Sequence, residues 1–204
     1  MRLSPRYVII LLKVAQLKTI ILRKRSLIKP YEFSSNPSPV EINVDYQFET
    51  CNGHVYKVTF VEATRIIDIL DNLPVVSNAI YVIVDPIYIQ GNLNLDIRIG
   101  STVIDIIKDY LLEIDRFSIL VFNCDISDGR QINRHHKFDR WFRDHARDLN
   151  FEKIDEEILE PDETGSGYTA TFISILYATD HPRKTIILQE LSHLRATIGA
   201  DKLR

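Results

Sequence analysis

Asn52-Gly53 stands between two apolar-rich runs, Tyr46–Thr50 and Val55–Val61. An Asn-Gly pair supplies the positive φ values of a type I′ turn, so these runs read as a β-hairpin. A second pair of runs, Phe151–Leu159 and Tyr168–Tyr177, is joined by the turn-rich PDETGSG at 161–167. Hairpins at both ends argue against a doubly wound parallel sheet. The expected fold is α+β: a two-layer sandwich with a mostly antiparallel sheet and helices packed on one face.

Between the hairpins the periodicity changes repeatedly. Residues 63–72, with Ile66, Ile67, Ile69 and Leu70, predict a short helix, and Ile80–Val84 a short strand that stops at Asp85-Pro86. Leu93, Leu95, Ile97 and Ile99 alternate with polar residues, the pattern of a half-solvated strand. Thr102, with Asp105 three residues on, reads as the cap of a helix burying Val103, Ile106, Ile107, Tyr110 and Ile114. Ser118–Phe122 is apolar on both faces and so belongs at the centre of the sheet. A helix over Asp128–Leu149 turns Phe138, Trp141, Phe142, His145 and Leu149 to one side, with Trp141 expected between helix and sheet. The last helix starts near Pro182, buries Ile187, Leu191, Leu194 and Ile198, and is ended by Gly199.

Charge divides the chain of 204 residues unevenly. Residues 1–30 hold eight basic side chains and no acid, so the other 174 keep 17 basic against 28 acidic groups, a net of −11. Residues 1–28 are also apolar, with Leu3, Tyr7, Ile10, Val14, Leu17 and Ile21 at helical spacing. Lys13 and Lys18 break the run too early for a transmembrane helix, and no small-residue cleavage site follows. The segment reads as a basic amphipathic helix for a partner's groove or a membrane surface. A helix docked on its own domain and a misassigned start carry more weight as plainer readings. Three prolines and three serines make residues 29–43 a linker, leaving residues 44–204 as one domain expected to fold from Val44 onward. Two cysteines cannot build a disulfide framework, which points to a reducing, cytoplasmic setting.

Cys124-Asp125 at the end of the central strand, Asp128-Gly129-Arg130-Gln131 after it, and Phe138-x-x-Trp141-Phe142 on the next helix form a recognisable junction. With the early Asn-Gly hairpin it resembles an uncharacterised bacterial domain-of-unknown-function family over about residues 45–200. The resemblance implies an intracellular bacterial origin and no particular chemistry.

The same junction holds the candidate catalytic residues Cys124, Asp125, Asp128 and His135, with Arg130 and Arg134 as anion-binding candidates. The ends of central strands are common ligand positions. The plainer reading makes Asp128 or Ser127 a helix cap and the arginines a solvated face. Cys124 closes a strand with the four apolar residues Ile119–Phe122 and has no paired base nearby, so a buried, inert thiol is preferred. His135 and Asp139 share a helix face, but no third ligand is spaced for zinc; no metal and no cofactor are expected. The acidic stretch Glu152–Glu163 reads as solvated. Arg140, Arg143 and Arg147 share a sector, yet no aromatic residues interleave, so nucleic acid is possible but not favoured.

Two functions remain. The preferred one is a non-catalytic interaction or accessory protein, meeting a protein partner, a second copy or a membrane surface through Lys13, Lys18, Arg23, Lys24 and Arg25. The alternative is an enzyme acting on a phosphorylated or nucleotide-like substrate at Cys124, Asp128 and Arg130.

Overall fold

The computed structural model describes residues 28–37, 44–63, 73–92, 96–124, 129–146, 149–161 and 167–201. In chain order these form β1 (Phe33–Pro37), β2 (Val44–Glu49), β3 (Val55–Glu62), β4 (Ile80–Tyr88), α1 (Ile97–Glu113), β5 (Leu120–Asn123), α2 (Gln131–His145), β6 (Phe151–Pro161), β7 (Tyr168–Ala178) and α3 (Lys184–Asp201). The strands make one seven-stranded sheet in the order β1-β2-β3-β4-β5-β7-β6. All pairings are antiparallel except β4 with β5, whose crossover is α1. The α+β class and the terminal hairpins agree with the sequence reading.

Alternation decides what each strand buries. Val44, Tyr46 and Phe48 on β2 and Tyr56, Val58 and Phe60 on β3 are buried on one face, while Asp45, Gln47 and Glu49 turn away. Helix α1 seals that face with Val103, Ile106, Ile107, Tyr110 and Leu111, and Tyr110 lies flat on Phe60 with ring centroids 4.0 Å apart. On β5, Leu120 and Phe122 join this core, whereas Val121 faces the other way. There it meets Ile175 and Tyr177 of β7 and Ile187, Leu191 and Leu194 of α3. The helices thus cover both faces, α1 and α2 on one and α3 on the other, where one face alone was expected. A central strand that is apolar on both sides requires this, since each side must be taken out of water.

The expected linker is partly inside the domain. Residues 33–37 form the edge strand, registered Phe33 to Phe48 through Pro37 to Val44. Just before it, Tyr31 is buried against Phe48, with the Arg98 guanidinium 3.7 Å from its ring centroid. Proline is tolerated there because an edge strand has one side without a hydrogen-bonding neighbour.

The start of α1 also departs from expectation. Asp96, not Thr102, is the N-cap: its Oδ1 accepts from the Arg98 N–H at 2.9 Å, and its Oδ2 accepts from the Tyr31 hydroxyl at 2.7 Å. Ile97 and Ile99 therefore open a helix instead of continuing a strand. Thr102 is buried one turn in, where Oγ1 donates to Arg98 O and accepts from the Tyr31 N–H. Ile114, expected in the core, is exposed just past the helix end.

Smaller differences follow from local geometry. The Asn-Gly loop contains three residues, closed by Thr50 N–H to His54 O at 2.8 Å, and only Gly53 has positive φ (74°). A type I′ turn needs positive φ at both central positions, so this hairpin uses a turn followed by a left-handed glycine. Strand β4 runs through Asp85-Pro86 to Tyr88, with a register shift opposite Val55/Tyr56 that accommodates the proline. Helix α2 is shorter than Asp128–Leu149, and α3 passes Gly199 to end at Asp201. Residues 64–72 of the helix expected over 63–72, and Lys13, Lys18, Arg23, Lys24 and Arg25 in the N-terminal segment, lie outside the described residues.

Trp141 is half-buried on the flank of α2, against α1 and not beneath the helix. Its indole occupies the space that a Cβ at Gly100 would take. Alanine normally stabilises a helix interior relative to glycine by about 1 kcal/mol. Here the clash reverses the sign, and Gly100→Ala is expected to destabilise by about 1–3 kcal/mol. Urea denaturation checks it, with Trp141→Leu in the same chain expected to remove most of the loss.

Candidate functional site at the strand–helix junction

The junction is assembled by two aromatic contacts. Phe122, near the end of β5, stacks on Phe138 of α2 with centroids 3.8 Å apart. One turn earlier, His135 lies on Phe172 of β7 at 5.0 Å and 23°. Gln131, His135, Phe138 and Phe142 share the inward face of α2 because their spacings of four, three and four residues keep them in one sector. Gly129, at φ 69°, precedes Arg130, which occupies the N-cap position without a side-chain capping bond. The expected cap at Ser127 or Asp128 is therefore not the one observed; Asp125 and Asp128 lie outside the described residues.

Cys124 is buried beside this seam, its N–H donating to Phe172 O at 3.1 Å. Burial pushes its thiol up to about 11, only partly offset by the positive charges of Arg134 and Lys153. An attacking cysteine needs a depressed pKa and access, and Cys124 has neither. Arg130 and Arg134 are exposed at the start of α2. Three polar atoms at the junction nevertheless sit buried without a hydrogen-bond partner, Asn123 Oδ1, Gln131 Oε1 and His135 Nδ1. Among the described residues, no three His, Cys, Asp or Glu side chains are grouped to hold a metal ion.

Sequence reasoning missed the ion pairs beneath the helices. Lys153 on β6 is almost fully buried between Asp139 of α2, at 3.3 Å, and Asp155, whose Oδ1 also accepts from Ser174 Oγ at 2.6 Å. Asp139 is thus engaged by lysine and is no partner for a metal at His135. On the opposite face, Glu152 accepts from Tyr177 Oη at 2.8 Å and Lys184 Nζ at 2.5 Å, while Glu156 pairs with Arg195. Glu152, Asp155 and Glu156 of the acidic stretch are therefore partnered where solvation was expected, while Glu157 is exposed. The signal for it was the strand period. Lys153 and Asp155 must face one helix layer and Glu152 and Glu156 the other. The latter two are about 13 Å apart along β6, close to the roughly 16 Å between Lys184 and Arg195 along α3.

Hydrogen bonds from Lys184 and Tyr177 hold the Glu152 carboxyl below its ordinary value. A depressed folded pKa contributes stability above the unfolded value and loses it as pH falls through the folded one. Glu152→Gln is accordingly expected to flatten the decline of melting temperature below about pH 4.3, the ordinary glutamate value. Thermal scans at pH 3 to 6 on both proteins measure it.

These features define a mostly antiparallel α+β domain whose second helix closes the carboxyl end of the central strand. Residues 95–187, from the α1 cap to the first turn of α3, match a family of unknown function (DUF6169). That match carries the whole junction, including Cys124, Gly129–Gln131 and Phe138–Phe142, and leaves β1 to β4 outside it. It is narrower than the 45–200 of the sequence-based resemblance. No curated protein and no solved structure matches the chain. Among the described residues no helix is long and apolar enough to cross a membrane.

Proposed function

We propose that this chain is a non-catalytic interaction module that meets its partner through the basic N-terminal segment. The state of Cys124 carries the reading. Cys124 is buried with its thiol raised to about 11, an arrangement that suits packing. The eight cations and apolar stripe of residues 1–30, against a remainder of −11, supply the contact chemistry. A protein partner or a second copy is the favoured target, and an anionic membrane surface is the next. Exposed Cys51 and buried Cys124, both unpaired, suit a reducing cytoplasmic compartment.

The test compares the full chain with a full-length variant in which Lys13, Lys18, Arg23, Lys24 and Arg25 are glutamine. The variant keeps Tyr31 and β1 in place. Capture of a defined partner by the parent and its loss in the variant supports the proposal. Equal capture by both, at low and physiological salt, overturns it.

The buried, unpartnered Gln131 Oε1 and His135 Nδ1 favour a second reading, an enzyme for a phosphorylated or nucleotide-like substrate at the junction. Turnover of a phosphate ester that is lost in both His135→Gln and Arg130→Gln, with stability retained, would select it.

A further inference from the structure

A second surface lies along one flank of α2, independent of the N-terminal segment. Arg130, Arg134, Lys137 and Trp141 follow one another at steps of four, three and four, forming a single stripe about 16 Å long, with Arg140 beside Lys137. The cations of the stripe are exposed, and Trp141 is half-buried at its border with the core-facing side. Of the two acids of the helix, Asp139 pairs with Lys153 and Arg143, and Asp144 lies 3.9 Å from the Arg143 guanidinium. Lys137 stands with Nζ 4.8 Å from the Trp141 ring centroid. Residues 130–145 carry five Arg and Lys side chains against two acids, in a chain whose net charge is −3.

We propose that this stripe binds single-stranded nucleic acid, its cations on the phosphates and Trp141 stacked on an unpaired base. Its length of about 16 Å spans a few phosphates of an extended strand. Aromatic stacking beside arginine and lysine is the chemistry by which single strands are held without sequence preference. Lys137 now covers the indole; a base taking its place releases the ammonium to a phosphate. An acidic second copy fits less well, because Glu152, Asp155 and Glu156 of β6 are already paired within their own chain. The sequence offered no aromatic residue to this surface, since Trp141 was assigned to the core.

Trp141 is the only tryptophan of the chain, so its emission reports the site without a label. The full chain is titrated with a 12-nucleotide oligothymidylate, with a polyglutamate of equal charge, and with phosphatidylserine vesicles, at 50 and 200 mM salt. The expected result is quenching by the oligonucleotide alone, with log affinity falling against log salt at a slope of about −2 for three cations. The triple variant Arg134→Gln, Lys137→Gln, Arg140→Gln is expected to bind at least about tenfold more weakly with an unchanged melting temperature. A variant carrying Arg23→Gln, Lys24→Gln and Arg25→Gln is expected to keep the quench. Absence of quenching by the oligonucleotide, equal binding of polyglutamate or vesicles, or full binding by the triple α2 variant would each overturn the proposal.

Discussion

Tyr31→Ala is expected to cost about 3–5 kcal/mol, the range for removing a large buried aromatic side chain. Tyr31 is 7% exposed, yet it precedes the first strand and lies in a stretch whose composition reads as a tether. Its ring stacks on Phe48 and carries Arg98 on its face, while its hydroxyl donates to the carboxylate that caps α1. Arg98 in turn donates to Lys29 O at 2.9 Å and Pro30 O at 3.3 Å, fastening the same segment from the helix side. Tyr31→Phe keeps the packing and loses the hydroxyl's bond to Asp96 and its 3.2 Å contact with Cys51 Sγ, so a smaller cost of about 1.5–3 kcal/mol is expected, as for a hydrogen bond to a charged group. Urea midpoints at unchanged slope separate the two. A chain beginning at Val44 would lack Tyr31 and β1 together and is expected to be less stable still. An alanine variant within about 1 kcal/mol of the parent would return residues 29–37 to the role of a linker.

The second large effect is expected at Phe138, the buried anchor of α2. Phe138→Ala removes the stack on Phe122 and should destabilise by about 3–5 kcal/mol. It should also raise the rate at which Cys124 reacts with a thiol reagent, because α2 is what closes the end of β5 over it. Phe138→Leu fills most of the volume and is expected to restore protection along with most of the stability. Loss of stability with Cys124 still protected would mean that α2 does not form the lid of this junction.

Local period made the two hairpins, the central strand and the core positions of α1 legible. Tyr46, Val58, Val103, Ile107 and Val121 each follow from two-fold or 3.6-fold spacing within their own segment. What stayed hidden depends on partners far along the chain. The prolines of residues 29–43 signal a tether, and only Thr102 and Asp96, about seventy residues on, make Tyr31 part of the core. Leu93 to Ile99 alternate like a strand, and the cap at Asp96 overrides that signal by satisfying the Arg98 N–H. The stripe of α3 announces burial but carries no information about which sheet face receives it. At the junction, the burial of Cys124 was readable from the apolar run Ile119–Phe122 just ahead of it. The pairing of Lys153 with Asp139 and Asp155 was not, because it joins two elements whose relative placement no local pattern fixes.

The central claim is that the junction is closed packing around an inert thiol, and thiol accessibility tests it most directly. In Cys51→Ser, only Cys124 remains. With its thiol near 11, about one molecule in a thousand carries the thiolate at pH 8, and burial hides even that fraction. The native variant is expected to remain unlabelled by a disulfide reagent at pH 8 until urea carries it through its unfolding transition, when one equivalent reacts. Prompt labelling of one equivalent in the folded protein, at a rate unaffected by urea below the transition, would contradict the account and make Cys124 a reactive group.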